Sequence, residues 1–174
     1  SNHWHDDIAK HLRYGGKLLG ICGGFQMLGK SVHDPDGIEG EAGSAAGLAY
    51  LEMETTLGEN KILCQVSGTL IGSGAEISGY EIHAGISNGS ALDTPFAELG
   101  GHLDGSRSAD GQIIGSYVHG LFDNSETRDE ILRWAGLSNI EALDYADIIE
   151  SNIERLADCL EAHLNIEALL KSHV

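Results

Sequence analysis

The N-terminal part of the chain combines one amphipathic segment with one short apolar run. Residues 6–14 place apolar side chains at helical spacing and end at a glycine pair, which predicts a short helix. Residues 17–21 are mostly apolar, a pattern typical of a strand that is buried on both faces. Cys22–Gly24 follow directly, and residues 25–30 again have a helical pattern. The sequence therefore predicts the order strand, glycine turn, helix.

The middle of the chain has the pattern of strands. Segments that alternate between apolar and polar residues, or that are apolar between glycines, lie at residues 51–57, 61–71, 80–83 and 112–118. The last of these strands is expected to end at His119. Residues 33–47 and 87–111 are rich in glycine and polar residues, so both predict loops, the second with a short strand near residues 101–103.

The C-terminal part of the chain is helical in pattern. Ser125 is the predicted N-cap of a helix over residues 126–134. Residues 140–170 carry leucines at helical spacing, which predicts one or two further helices. We therefore expect a body over residues 1–136 and a helical tail over residues 137–174 that packs on it.

Composition and charge narrow the class of protein. Hydrophobic residues make up 41% and charged residues 21% of the 174 residues, as in an ordinary globular domain. Ten basic residues against 27 acidic ones give a net charge of −17, which argues against nucleic acid and anionic membranes as partners. No apolar run is long enough for a membrane span, and no signal peptide pattern begins the sequence.

The cysteines indicate a reducing compartment. Three cysteines lie far apart with no CxxC pair, so neither a zinc site nor a disulfide framework is expected, and a cytoplasmic setting fits best. Residues 33–39 contain a histidine and several acids, but their spacing matches a turn better than a calcium loop. We therefore expect no metal in this chain.

One of these cysteines has the surroundings of a nucleophile. A nucleophile at a sharp turn from strand to helix needs small neighbours, and Cys22 stands between Gly20 and the pair Gly23-Gly24. Such a turn places sulfur at the start of a helix, where a thiolate is favoured. It also aims the Gly23 N–H at the position where an oxyanion develops. The alternative is that Cys22 is a small buried hydrophobic residue beside a glycine turn.

A thiol nucleophile needs a base, and nine histidines compete for that role. His119 ends a predicted strand and precedes glycine, which is where an α/β sheet presents functional groups. His83 lies in a second strand bounded by glycines. The other seven lie near the termini, in predicted loops or in the acidic tail, and are expected at the surface. Position favours His119 over His83, and a structural role stays open for both.

Four motifs resemble one family in order and spacing. GGKLLGICGGFQMLG around Cys22 resembles the nucleophile motif of the class I glutamine amidotransferases. HDPDGIEG and GSAAGL at residues 33–48 are similar to the cobyric acid synthases within that class. GYEIHAG at residues 79–85 and YVHGLFD at residues 117–123 match the same family. The resemblance implies an α/β, flavodoxin-like amidotransferase domain with a central, mostly parallel sheet.

The resemblance also implies a reaction and residue roles. Cys22 would attack the side-chain amide of glutamine and form a thioester, and His119 would protonate ammonia and activate the hydrolytic water. Gly23 would supply an oxyanion donor, while Gln26 and His83 would contact glutamine. The released ammonia would serve an ATP- and Mg²⁺-dependent synthetase domain of the same parent protein. That domain would amidate the corrinoid adenosylcobyrinic acid a,c-diamide in cobalamin biosynthesis, and the glutaminase reaction itself would need no cofactor.

The chain departs from the pattern of the class in two ways. Many class I enzymes have Glu two residues after the catalytic His, and Leu121 stands there, so a Cys-His dyad is expected. Glu81 and Asp123 are candidates to hold His119, although a solvated loop acid fits Asp123 better. Only 21 residues precede Cys22, so the domain is expected to be N-terminally truncated.

A truncation of this kind would have consequences for activity and assembly. The loop that gives the second oxyanion N–H would be absent, so the chain alone would be a weak glutaminase. Exposed strand edges would lead to a homodimer or would be covered by the helical tail.

Two other functions compete with this interpretation. Cobyrinic acid a,c-diamide synthase shares the thiol motif and amidates a different corrinoid. A non-catalytic interaction module would instead carry Cys22 as a redox-sensing or inert thiol. Alkylation by an electrophilic glutamine analogue distinguishes the last from both enzymes, because only a glutamine pocket gives protection by glutamine.

Overall fold

A long antiparallel hairpin is the largest element of the chain. The computed structural model describes residues 4–140 and 145–165. The hairpin strands are Glu54–Leu70 and Glu76–Asn88, and a short 3₁₀ helix at Ser90–Asp93 follows them. These described residues form ten strands: β1 Leu18–Ile21, β2 Ser31–Asp34, β3 Gly43–Ala46, β4 Glu54–Leu70, β5 Glu76–Asn88, β6 Ala97–Leu99, β7 His102–Asp104, β8 Ser106–Arg107, β9 Ile113–Ser116 and β10 Val118–His119. The α-helices are α1 Trp4–Arg13, α2 Gly23–Leu28, α3 Ser125–Trp134 and α4 Tyr145–His163.

The smaller of two sheets carries the predicted nucleophile strand. Its order is β1-β9-β8, with β1 and β9 parallel and β8 antiparallel to β9. The register runs from Leu18 opposite Ile113 to Ile21 opposite Ser116. The strand predicted before Cys22 is therefore confirmed. Its parallel partner ends at the same edge of the sheet.

The larger sheet is mostly antiparallel. Its order is β10-β5-β4-β2-β3, and β6 pairs with both β4 and β7. Of the eight strand pairs in the described residues, only β1–β9 and β2–β4 are parallel. The mixed α/β character is confirmed, whereas a mostly parallel sheet is wrong for this part of the chain. The hairpin explains the difference, because a short turn between strands makes them antiparallel.

Both predicted loops contain strands. Residues 33–47 include the end of β2 and all of β3, and residues 87–111 include the 3₁₀ helix, β6, β7 and β8. The short strand predicted near residues 101–103 is confirmed as β7, whereas β3 is exposed along its whole length, so no apolar alternation marked it. The segments 51–57 and 61–71 belong to one strand, β4, whose register shifts between Leu57 and Ile62. The segment 112–118 is instead two strands in different sheets.

The helices follow the sequence pattern closely. α1 and α3 lie where the pattern predicts them. The N-cap of α3 is Asn124, not Ser125, because the Asn124 carboxamide oxygen accepts from the N–H groups of Glu126 and Thr127. α4 lies within the predicted range 140–170, of which residues 141–144 and 166–170 lie outside the described residues. Within the described ranges, no helix has the length and apolar character that a bilayer span requires.

Two apolar clusters form the core within residues 1–140. One surrounds Phe96, Leu99 and Val118 between the larger sheet and α3. The other surrounds Phe25 and Met53, next to α2. The chain divides by its contacts into residues 1–140 and 141–174, close to the predicted boundary after residue 136. The packing of the tail on the domain stays a prediction.

Candidate active site

Cys22 has a strained backbone between β1 and α2. Its φ of 53° and ψ of −115° lie outside the regions that a residue with a side chain favours. Such a conformation costs about 1–3 kcal/mol and persists only where surrounding contacts fix it. The Cys22 N–H donates to the Ser116 carbonyl at 2.9 Å, and its own carbonyl accepts from the Gln26 N–H at 3.1 Å. The predicted turn from strand to helix is therefore present.

Glycines allow the close approach of strand and helix at this turn. A Cβ at Gly20 would lie 2.6 Å from Leu28 and 2.8 Å from the Gly24 carbonyl oxygen. A Cβ at Gly115 on β9 would overlap the ring of Phe25. By contrast, a Cβ at Gly23 or Gly24 would meet nothing within 4 Å. Gly23 is exposed and Gly24 is half-buried, so the start of α2, whose first N–H groups have no partner within the helix, lies near the surface.

The Cys22 thiol is half-buried and is paired with none of the histidines that the structure describes. It donates to the Ile82 carbonyl of β5 at 3.3 Å. The segment 79–85, one of the four motifs of the sequence, therefore lies against the nucleophile motif. All three cysteines, Cys22, Cys64 and Cys159, are free thiols.

His119 follows the parallel partner of the nucleophile strand. β1 ends one residue before Cys22, and β9 ends at Ser116, three residues before His119. The carboxyl ends of parallel strands meet at one sheet edge, so Cys22 and the chain that leads to His119 leave the smaller sheet at that edge. The His119 ring stacks on Tyr80 with 5.2 Å between centroids and 2° between planes. Its Nε2 is buried and has no hydrogen-bond partner in the described part of the chain.

Neither acid proposed to hold His119 bonds to it. Glu81 is buried on β5, where its carboxylate accepts from His102 Nε2 at 3.3 Å and from the Cys64 thiol at 3.6 Å. Asp123 makes a turn in which its N–H donates to the Gly120 carbonyl at 3.0 Å. Neither candidate therefore holds His119 in this structure, and Asp123 is exposed, as expected for a solvated loop acid. His102 is half exposed and pairs with Glu81, a contact that its position in a predicted loop did not indicate.

Gln26 and His83, predicted to contact glutamine, are joined through Tyr117. Gln26 is buried, and its Nε2 donates to the Tyr117 hydroxyl at 3.4 Å. The His83 ring stacks on Tyr117 with 3.8 Å between centroids. The Tyr117 hydroxyl also lies 2.7 Å from Ser87 Oγ. The structure thus brings these two residues together around a tyrosine that the sequence left unassigned.

Asp104 is a second residue that the sequence left unassigned. It is buried at the end of β7 and accepts from Ser116 Oγ at 2.6 Å and from the Tyr117 N–H at 3.0 Å. Burial raises the pKa of Asp104, while the hydrogen bond from Ser116 opposes that shift. Ser116 Oγ in turn accepts from the Val118 N–H at 3.0 Å. Asp104 therefore fixes the segment that leads from β9 to His119. In the sequence, only the neighbouring Gly105 indicates a tight turn at this position.

A cavity of about 460 Å³ lies beside Tyr117. Its walls are mostly apolar, and Glu81 and Asp104 lie at its polar side. Cys22 and His119 lie outside its lining, whereas His83 and Tyr117 are part of it. No group of three or more His, Cys, Asp or Glu side chains in the described ranges is arranged to hold a metal ion.

Cys22 lies at a strained turn between β1 and α2, and β9, the parallel partner of β1, leads to His119. These two features define a class of fold in which a cysteine lies at the junction of a strand and a helix. Comparison with known families agrees with this class. Residues 1–127 match the family model described as the CobB/CobQ-like glutamine amidotransferase domain. The match covers most of the chain, so the chain belongs to this family. Membership supports a glutaminase role and amidotransferase activity in general.

Proposed function

We propose that the chain is the glutaminase part of a cobyric acid synthase, with Cys22 as nucleophile and His119 as base. The observation that carries the proposal is the backbone of Cys22, with φ 53° and ψ −115° at the junction of β1 and α2. Strain of this kind is characteristic of functional sites, because packing alone gives no reason to keep a non-glycine residue there. The family match supports the same role for the domain.

The proposed reaction begins when Cys22 Sγ attacks the side-chain amide carbon of glutamine. A C–S bond forms, and the negative charge on the former carbonyl oxygen is stabilised by the Gly23 N–H. His119, which has received the thiol proton, passes it to the leaving nitrogen as the C–N bond breaks and ammonia departs. Water then attacks the thioester with His119 as base, which returns the thiol and releases glutamate.

The exposure of Gly23 and the open space beside Gly23 and Gly24 support an approach of the substrate to the start of α2. Gln26 and His83 are proposed to act at the substrate side through their contacts with Tyr117. The buried Nε2 of His119 supports a proton-transfer role, because a buried polar atom without a partner is costly unless it is used.

The proposed acceptor reaction belongs to a synthetase domain of the parent protein. ATP and Mg²⁺ would act there, and no step of the mechanism above passes through them. The ammonia would amidate adenosylcobyrinic acid a,c-diamide in cobalamin biosynthesis. The proposal places the chain in the cytoplasm, where its three free thiols stay reduced.

Labelling by an electrophilic glutamine analogue tests the proposal. The chain is treated with the analogue, with and without competing glutamine, and the label is mapped by mass spectrometry. We expect one label, on Cys22, which glutamine prevents. Equal labelling of Cys22, Cys64 and Cys159 without protection would contradict the assigned glutaminase site.

A further inference from the structure

The imidazole of His119 lacks the support that a catalytic base ordinarily receives. A base is usually oriented by a hydrogen bond from a third group. Here neither ring nitrogen of His119 makes a hydrogen bond to a described residue, and Glu81 is occupied by His102 and Cys64. Leu121, two residues after His119, is buried and has no polar atom to offer. Something other than a carboxylate must therefore fix the plane of the ring.

Tyr80 is the side chain that meets this ring. It lies directly opposite His119 in the antiparallel pair of β5 and β10. The two rings are parallel to within 2°, with 5.2 Å between their centroids. Residues opposite one another in a ladder share a face of the sheet, so the contact follows from the register. Glu81, the next residue on β5, points to the opposite face.

The backbone beside Tyr80 holds this pair at close range. A Cβ at Gly79 would overlap the His119 carbonyl oxygen and lie 2.8 Å from Val118 Cγ1. Only glycine permits β5 to approach β10 this closely. The register that puts Tyr80 under His119 therefore cannot slide without separating the two strands.

We propose that Tyr80 is a positioning residue for His119 and takes the place of the missing carboxylate. Its ring fixes the plane of the imidazole, and its electron-rich face stabilises the imidazolium that forms when His119 takes the Cys22 proton. This role rests on the proposed function. It needs the aromatic face of Tyr80 and not its hydroxyl.

Two substitutions separate the ring face from the hydroxyl. Tyr80→Leu removes the face, and Tyr80→Phe keeps it. Tyr80 is 42% exposed, so both variants are expected to fold. Tyr14→Leu is the matched control, because Tyr14 is 80% exposed and lies beyond the end of α1.

The measurement is the rate at which an electrophilic glutamine analogue labels Cys22, as a function of analogue concentration. We expect Tyr80→Leu to lower the maximal rate roughly tenfold, the size of a cation–π contact, with the half-saturating concentration unchanged. Tyr80→Phe should recover the wild-type rate to within about twofold, and Tyr14→Leu should leave it unchanged. A wild-type rate for Tyr80→Leu, or a rate for Tyr80→Phe as low as that of Tyr80→Leu, would overturn the proposal.

The ring protons of His119 give a readout that needs no activity. Stacking on Tyr80 shifts their NMR signals upfield, so Tyr80→Leu should move them downfield and Tyr80→Phe should not. If glutamine does not protect wild-type Cys22 from labelling, the proposed function is wrong. The NMR signals still show in that case whether the His119 ring stacks on Tyr80. Unchanged signals in Tyr80→Leu would overturn the positioning role even if Cys22 is protected.

Discussion

The two halves of the candidate site are built in different ways. The nucleophile half consists of β1, Cys22 and α2, which are consecutive in the chain, and distant residues contribute the space at Gly115 and the backbone carbonyls of Ser116 and Ile82. The base half depends on residues from three separate segments, since Tyr80 stacks on His119 and Asp104 holds the strand that precedes it. Contacts between residues that are neighbours in sequence produce a recognisable pattern in consecutive residues, whereas contacts between segments far apart in sequence do not. The nucleophile half can therefore be predicted from one motif.

The largest effect is expected from removal of the nucleophile itself. Cys22→Ala should abolish the glutamine-protected label and lower any ammonia release by roughly 10⁴-fold or more, because no other group forms the thioester. Cys64→Ala is the matched control, since Cys64 is an exposed thiol, and its variant should retain the protected label. Mass spectrometry of both variants checks this, and a protected label in Cys22→Ala would contradict the assignment.

The next largest effect is expected from disruption of the base half. Asp104→Ala should lower the free energy of unfolding by about 3 kcal/mol, because the Ser116 hydroxyl and the Tyr117 N–H lose a buried acceptor. Urea unfolding measures the change. Asp93→Ala is the control, because Asp93 is exposed at the end of the 3₁₀ helix and should change stability by less than about 0.5 kcal/mol. Equal stability of the two variants would show that Asp104 does not fix this segment.

A smaller effect is expected from relief of the backbone strain at Cys22 in the nucleophile half. Cys22→Gly should be more stable than Cys22→Ala by about 1 kcal/mol, because glycine adopts a φ of 53° without a steric penalty. Urea unfolding of the two variants gives the difference. Ala135, with φ of −70°, is the reference position, where glycine in place of alanine should be destabilising. The same sign at both positions would mean that Cys22 is not strained.

The smallest effect concerns the titration of Asp104. Burial raises its pKa, so the folded chain takes up this proton at a higher pH than the unfolded chain. The resulting stabilisation is complete below the ordinary Asp value of about 4 and is lost as the pH rises through the raised pKa. The stability of the wild type relative to Asp104→Asn should therefore increase as the pH falls from neutral towards 4. Urea unfolding across that range measures it, and a difference that shrinks would contradict the direction.

The sequence predicts those parts of the fold that depend on neighbouring residues. The helix over residues 6–14, the strand before Cys22 and the glycine turn after it all follow from local spacing, and each is present. The N-cap of α3 was misplaced by one residue, because Asn124 and Ser125 are both good caps and only geometry chooses between them.

What the sequence did not predict depends on pairing between distant segments. β3 and β8 are short polar strands, and each is defined only by its partner. The break of residues 112–118 into β9 and β10 occurs where Asp104 binds the chain, and an aspartate in a polar segment gives no sign of such a contact. Neither Glu81 nor Asp123, the two candidate acids, bonds to His119, whereas strand register places the ring of Tyr80 against it.

The bond between the Cys22 N–H and the Ser116 carbonyl has a mechanical consequence. His119 lies only three residues after Ser116, and three residues of chain extend at most about 10 Å. The nucleophile and the base are therefore joined by a short tether that crosses from one sheet to the other. A movement of the two sheets cannot carry these groups far apart while that bond lasts. While this bond is intact, Cys22 and His119 can be inactivated only by rotation of a side chain or by blockage of the space before α2, because the tether keeps their backbones together.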